Sequence, residues 1–237
     1  MAVGRRTGGF RTFDGRAFHQ GRRGLESFAM SGSRLTGPML VCAIAFFALS
    51  AAVLGWTWIA AADSALNASF GAWRVEPLLS VFLWLTALGA SPAIAAVCLT
   101  ATALLWVARL PRFIAPLWIA WLGGEATSWS MKFLVARLRP DFLDVASAVS
   151  PSFPSAHTMS AMVVYGFLAF LVARHGPPGR LSLLVPAALA LLILAIGFSR
   201  MFLSLHYASD VLGGFLVGGF WLLWAIARSS PRRGGLL

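Results

Sequence analysis

The sequence predicts an all-α integral membrane protein, a bundle of six transmembrane helices with an additional short helix near residues 78–88. Three observations carry that prediction. Apolar residues make up 59% of the chain and charged residues only 11%, a balance outside the soluble globular range. The apolar residues gather into runs of about 20, the length a helix needs to cross a bilayer. Arginines gather between the runs and at the chain ends, where they set orientation.

In chain order, residues 1–36 are rich in Arg and Gly, lack apolar periodicity and hold seven arginines from Arg5 to Arg34. This is expected to be a disordered basic cytoplasmic tail. Met30 serves as well as Met1 as a start, because nothing before it is needed for the bundle. The first apolar run, residues 39–62, is too long for the core of a cleaved leader and reads as an uncleaved signal anchor. Residues 63–76 are polar enough for a loop. Glu76-Pro77 then opens the short helix, which Gly89-Ala90-Ser91-Pro92 breaks. The second span covers residues 92–108, and Arg109-Leu110-Pro111-Arg112 forms a tight basic turn. The third covers 113–131, the fourth 158–173, the fifth 181–198 and the sixth 206–227. Residues 37–229 thus form one transmembrane domain, and residues 230–237 a short basic C-terminal tail.

Six spans put both termini on one side. With that side inside, cytoplasmic segments hold fourteen of the nineteen basic residues. The net charge of +11 is therefore an orientation signal and does not call for nucleic acid. The outside segments hold Arg74, Lys132, Arg137, Arg139 and Arg200, which need another reason to be there. Cys42 and Cys98 lie within apolar runs and are assigned to packing, since two buried cysteines make neither a disulfide framework nor a metal site. Gly213-Gly214 and Gly218-Gly219 allow close helix approach within the bundle. The tryptophans are spread along the spans and their ends like an aromatic belt.

Three outside segments carry chemistry. In the first, Lys132 and Arg139 are seven residues apart, two turns along one helical face, with Pro140 ending the helix. A point charge and a planar fork suit a multiply charged anion, although a basic anchor at headgroup level has the same composition. In the second, Pro154-Ser155-Ala156-His157, Ser155 occupies an N-cap position and His157 can donate a proton to whatever the helix N-terminus holds. In the third, Ser199 to Asp210, a helix starting near His206 would stack His206 and Asp210 on one face. The carboxylate would then orient the imidazole and leave its other nitrogen free to attack. Arg200 would fold back over the helix N-terminus. Alone, this stretch fits equally well a loop histidine beside a helix-capping aspartate. Together, the segments suggest phosphoryl transfer through a phosphohistidine, with no metal, because no ligand cluster of suitable spacing accompanies them.

Lys132…Arg139-Pro140, Pro154-Ser155-Ala156-His157 and Ser199-Arg200…His206…Asp210 closely resemble the three signature motifs of the type-2 phosphatidic acid phosphatase superfamily, in order and in spacing. The resemblance covers about residues 39–227. It implies a membrane bundle with an outward-facing site and lipid phosphate substrates. It also implies the roles. His206 is the nucleophile, Asp210 orients it, and His157 is the acid for the leaving group. Lys132, Arg139, Ser155, Ala156 and Arg200 bind the phosphate. The family usually has glycine where this chain has Ala156, which puts the geometry of that N–H in question. No cofactor is implied. The implied partners are the bilayer and a membrane lipid phosphate, with neither nucleic acid nor an obligate protein partner. The implied location is a bacterial inner membrane, multi-pass, with the site facing the periplasm.

The leading function is thus a metal-independent membrane lipid phosphate or pyrophosphate phosphatase. A phosphotransferase on the same scaffold, passing the phosphoryl group to an acceptor hydroxyl, is the alternative. Phosphatidic acid, phosphatidylglycerol phosphate, undecaprenyl pyrophosphate and a lipid A phosphate are candidate substrates. Glu125 lies seven residues before Lys132, so Glu125, Lys132 and Arg139 are expected to form one stripe. Glu125 then either pairs on a neighbouring span or lines the lipid entrance.

Overall fold

The computed structural model describes residues 32–140, 150–176 and 179–229. Among them, all regular structure is helical. The elements are α1 (Gly32–Gly55), α2 (Thr57–Ser69), α3 (Leu78–Ala87), α4 (Ser91–Val107), α5 (Ile114–Val135), α6 (Ala156–His175), α7 (Leu181–Phe202) and α8 (Ala208–Ser229). Four of these are long and apolar enough to cross a membrane: α1 from Arg34, α6, α7 and α8. The pair α3 and α4, bent by 50° at their junction, makes a fifth if counted as one broken span. Helix α5 has 22 residues, but Glu125, Lys132 and its serines dilute its apolar character. Apolar length therefore supports four or five spans, where six were expected.

The first predicted span is the largest departure. It was expected over residues 39–62 with a loop after it. Instead the helix begins at Gly32, inside the expected tail, and Trp56 breaks it with an extended backbone (φ −115°, ψ 106°). A second helix then continues through Ser69. Gly55 weakens the helix at the break. Asp63 and Asn67, which suggested a loop, lie four residues apart on α2; Asn67 meets Ser204 just after α7, and Asp63 meets Ser209 in the first turn of α8. The remaining part of the expected N-terminal tail, and the expected C-terminal tail, lie outside the described residues.

Half of the apolar stretch of α6 and 44% of that of α8 are buried within the protein, against only 17% for α1 and α7. Helices α6 and α8 are therefore the centre. Leu183, Leu191 and Leu194 on α7 face outward, as lipid-facing residues do. The expected close approach along the paired glycines is present. A Cβ on Gly214 would lie 2.6 Å from the Ser155 carbonyl oxygen, and one on Gly218 2.9 Å from that of Met159. Dispersion, rather than a hydrophobic gradient, rewards such contact in a bilayer. Phe113, Leu117, Met159, Val163, Phe167 and Ile196 fill the interior around it. The Tyr165 hydroxyl donates to the Leu88 carbonyl (2.8 Å) and ties the bent pair to α6. Both cysteines are free; Cys98 is buried, as expected, whereas Cys42 is only partly buried.

Candidate active site

The end of α7 and the start of α8 form the heart of the site. After α7 the chain tightens, and the N–H groups of Leu205 and His206 both donate to the Arg200 carbonyl (3.0 and 3.1 Å). That turn explains the spacing of Arg200 and His206: one carbonyl holds both residues in place. Helix α8 begins at Ala208, so His206 precedes it and does not share a helical face with Asp210. Asp210 reaches back instead. It occupies the third helical position, and its Oδ2 accepts from the Tyr207 N–H (2.9 Å), half of a capping box. The carboxylate is fully buried, at a helix N-terminus that favours negative charge.

The two nitrogens of His206 face different partners. Arg139 Nη1 lies 3.3 Å from Nε2. A guanidinium can only donate, so Nε2 is the acceptor there and carries the lone pair. Nδ1 faces Asp210 Oδ2 at 3.5 Å, just beyond a hydrogen bond. Burial, followed by the charges of Arg200, Arg139 and Lys132, holds the imidazole well below its ordinary pKa, so it is neutral at pH 7.

Behind Asp210 stands a network that the sequence did not announce. Arg137 Nη1 donates to Asp210 Oδ1 (2.7 Å), and its Nη2 donates to Asp63 Oδ2 (2.8 Å). Arg137 also lies over the Tyr207 ring, 4.3 Å from its centroid. Asp63 accepts the Ser209 N–H (3.1 Å) and the Ser209 hydroxyl. The signal for Asp63 was its isolation at the end of an apolar run, where a carboxylate is costly unless paired.

In front of His206 lie the cations. Lys132, on the last turn of α5, donates to the Pro151 carbonyl (2.6 Å). The helix then stops at Ala136, which adopts the left-handed conformation (φ 49°). Arg139 is therefore off the helix, which corrects both the expected shared face with Lys132 and the expected stripe with Glu125. Ala136, and not Pro140, ends the helix. The turn sends Arg137 behind Asp210 and Arg139 towards His206. Arg139 donates to the Ser150 carbonyl (3.0 Å) and the Leu205 carbonyl (2.9 Å). Arg200 lies within α7 rather than over the α8 N-terminus. Its Nη1 donates to Thr86 on α3 (2.7 Å), while its Nε is buried with no partner. A buried donor without an acceptor suits an arriving anion.

Ser155 stands at the N-cap position of α6, but its hydroxyl does not cap the helix. It accepts from Thr158 Oγ1 (3.0 Å), while its own N–H donates to the Asp210 carbonyl (3.0 Å). Ala156 is the first helical residue, in a conformation open to any side chain, so the departure from glycine costs no backbone strain there. His157 follows, beside the Gly89 bend, and the charges of Arg200, Arg139 and Lys132 act on it together with His206. Glu125 accepts from Ser160 on α6 (2.6 Å), a partner on a neighbouring helix. Among the described residues, no three His, Cys, Asp or Glu gather as metal ligands would.

A family model described as the PAP2 superfamily matches residues 113–233, just over half of the chain. Every motif residue expected from the sequence falls inside that match; Asp63 and Thr86 fall outside it. Phosphatidylglycerophosphatase B of Bacillus subtilis (strain 168) is 36% identical over 92 residues, which are 37% of this chain and 44% of that protein. The match thus spans less than half of that relative. The crystal structure of a transmembrane PAP2-type phosphatidylglycerolphosphate phosphatase from Bacillus subtilis aligns with a TM-score of 0.73 at 26% identity, over 79% of this chain and 93% of that one. Aquifex aeolicus LpxE aligns with a TM-score of 0.54 at 22% identity, over 73% of this chain and 96% of that one, a likeness of fold.

Proposed function

The chain belongs to the PAP2 superfamily, and from that premise we propose that it is a membrane lipid phosphate phosphatase acting through a phosphohistidine. The observation that carries this reading is the setting of His206. Its Nε2 faces the Arg139 guanidinium, the charges of Lys132 and Arg200 also act on the ring, and Asp210 lies behind its other nitrogen. In the first step Nε2 attacks phosphorus, and the bond from phosphorus to the lipid oxygen breaks. His157 gives a proton to the departing alkoxide. Lys132, Arg139, Arg200, Ser155 and the Ala156 N–H hold the phosphate oxygens, and Asp210 stabilises the positive imidazole. In the second step water attacks phosphorus and gives its proton to His157. The P–N bond breaks and inorganic phosphate leaves. Lys132, Arg139 and Arg200 supply the charge that a metal would otherwise bring.

The membrane arrangement belongs to the same reading. Helix α5, third in chain order, brings the number of spans to six, since its 22 residues rise about 33 Å. Both termini are cytoplasmic, the site faces the outside of a bacterial inner membrane, and residues 37–229 form one domain. The excess of arginine in the opposite segments supports this orientation. A single cysteine at Ser150, in a background lacking Cys42 and Cys98, should react with an impermeant maleimide in intact cells. Labelling only after lysis would reverse the topology.

The relatives named above suggest phosphatidylglycerol phosphate as the first substrate to try. The test is phosphate release by purified protein in detergent from that lipid, phosphatidic acid, undecaprenyl pyrophosphate and a lipid A phosphate, with excess EDTA present. Release from at least one, abolished in His206→Ala together with any trapped phosphoenzyme, is the expected outcome. No release from any of them, or activity that returns only with magnesium, would overturn the reading.

A further inference from the structure

The Asp63, Arg137 and Asp210 network is larger than the task of holding one carboxylate requires. Asp210 Oδ2 is already held by the Tyr207 N–H, and Arg137 alone would complete Oδ1. Yet Arg137 is shared with a second carboxylate, 74 residues away in sequence on α2, which also grips Ser209 next to Asp210. The components are enclosed: Asp210 is 0%, Asp63 6% and Arg137 13% exposed. Water therefore screens the three charges little.

We propose that Asp63 is a positioning residue that sets the charge felt by His206: by drawing on the far side of Arg137, it leaves a net negative charge on Asp210 behind the imidazole. With Arg137 alone, the guanidinium would neutralise Asp210. Two carboxylates and one guanidinium leave one net negative charge, and Asp210 is the member that faces Nδ1. That charge opposes the cations in front. The groups that face His206 are Lys132 from α5, Arg139 beyond α5, His157 from α6, Arg200 from α7 and Asp210 from α8, with Arg137 and Asp63 behind. Without a rear negative charge, the three front cations would further weaken Nε2 as a base and as a nucleophile. This inference rests on His206 being the nucleophile, as proposed above.

The network predicts shifts of opposite sign. Asp63→Asn keeps the shape and an acceptor for Ser209 but removes a negative charge, so His206 becomes less basic. The acid limb of kcat/KM should move to lower pH, by about half to one unit for a charge acting through a neighbour, while kcat falls. Arg137→Gln removes a positive charge, so the acid limb should move to higher pH. Asp63→Glu keeps the charge and should leave the limb in place. The rate profiles use p-nitrophenyl phosphate and the best lipid substrate. The second readout is a 13C-histidine NMR titration of the full chain in detergent, with His206 assigned by His206→Gln, and it needs no turnover.

Opposite displacements in the two variants support the proposal. Lower rates with unmoved limbs, displacements of the same sign, or a limb in Asp63→Glu displaced as far as in Asp63→Asn would each overturn it. Should Asp63→Asn fail to fold, Arg137→Gln decides alone: a limb that stays or moves down overturns the proposal. A wild-type protein without phosphatase activity would sink the reading of function instead, and the His206 titration would still decide the charge network.

Discussion

The two sides of His206 are built on different rules. In front, Lys132 and Arg139 hold carbonyl oxygens of irregular backbone, at Pro151, Ser150 and Leu205. Behind, Asp210, Arg137, Asp63 and Ser209 hold one another's side chains in a closed set. The front can exchange its partners for phosphate oxygens. The rear is tied side chain to side chain and so can hold a charge in place behind the imidazole. On the proposed mechanism, the two tasks of admitting a charged substrate and aligning His206 are thereby separated.

The largest expected effect breaks the rear. Asp210→Asn keeps the shape but loses the charge that stabilises the imidazolium, and kcat should fall by about 10³–10⁴, as when the aspartate of a catalytic triad is neutralised. If Asp210 acts through His206, as proposed, the loss should be equal on lipid phosphate and on p-nitrophenyl phosphate. Unequal losses would detach Asp210 from the nucleophile.

The next effect sharpens the front. On the proposed mechanism, His157→Ala removes the proton for the leaving alkoxide, which p-nitrophenolate hardly needs. Activity on lipid phosphate should fall about 10²-fold more than on p-nitrophenyl phosphate. Equal losses would count against His157 as the acid.

A third change acts on the seam between the two sides. Gly214 lets α8 lie against the Ser155 carbonyl, and Ser155 in turn donates to the Asp210 carbonyl. Gly214→Ala pushes a methyl group against backbone, which cannot swing aside, and should destabilise the protein by about 1–3 kcal/mol. A thermal midpoint in detergent equal to that of wild type would show that the seam has slack.

The smallest effect is expected away from both sides. Glu125→Gln keeps the acceptor for Ser160 and should change kcat/KM by less than about threefold. A larger loss would bring Glu125 into the path of the substrate.

What the sequence made legible was local. The spacing of Arg200, His206 and Asp210 was readable because these residues are neighbours both in the chain and in space: Arg200 and His206 share one turn, and Asp210 caps the helix that follows. Reading failed where a backbone changed direction without a glycine or proline to announce it. Ala136 ends α5 in a left-handed conformation, so the seven-residue spacing of Lys132 and Arg139 did not mean a common face. Trp56 breaks the first apolar run with an extended backbone, a change of direction that the single glycine before it, Gly55, did not mark clearly enough to place. Reading also failed where a partner was remote. Asp63 resembled a loop residue because its partners, Arg137 and Ser209, lie 74 and 146 positions away. Thr86, which holds Arg200, is 114 positions from it. At α5, read from the sequence as a span over residues 113–131, inward polar residues weaken the apolar character, so that apolar length alone does not count it.

The carbonyl groups held by Lys132 and Arg139 have a consequence for the end of the catalytic cycle. A phosphate ion entering the site displaces contacts that are already made, so it gains only the difference between two sets of hydrogen bonds. On the proposed mechanism the same exchange would run backwards when the ion departs, with the cations returning to the carbonyls of Ser150, Pro151 and Leu205 that they hold in this structure. The resting protein is in this sense its own competitor. Inorganic phosphate is expected to inhibit weakly, and turnover to continue as it accumulates.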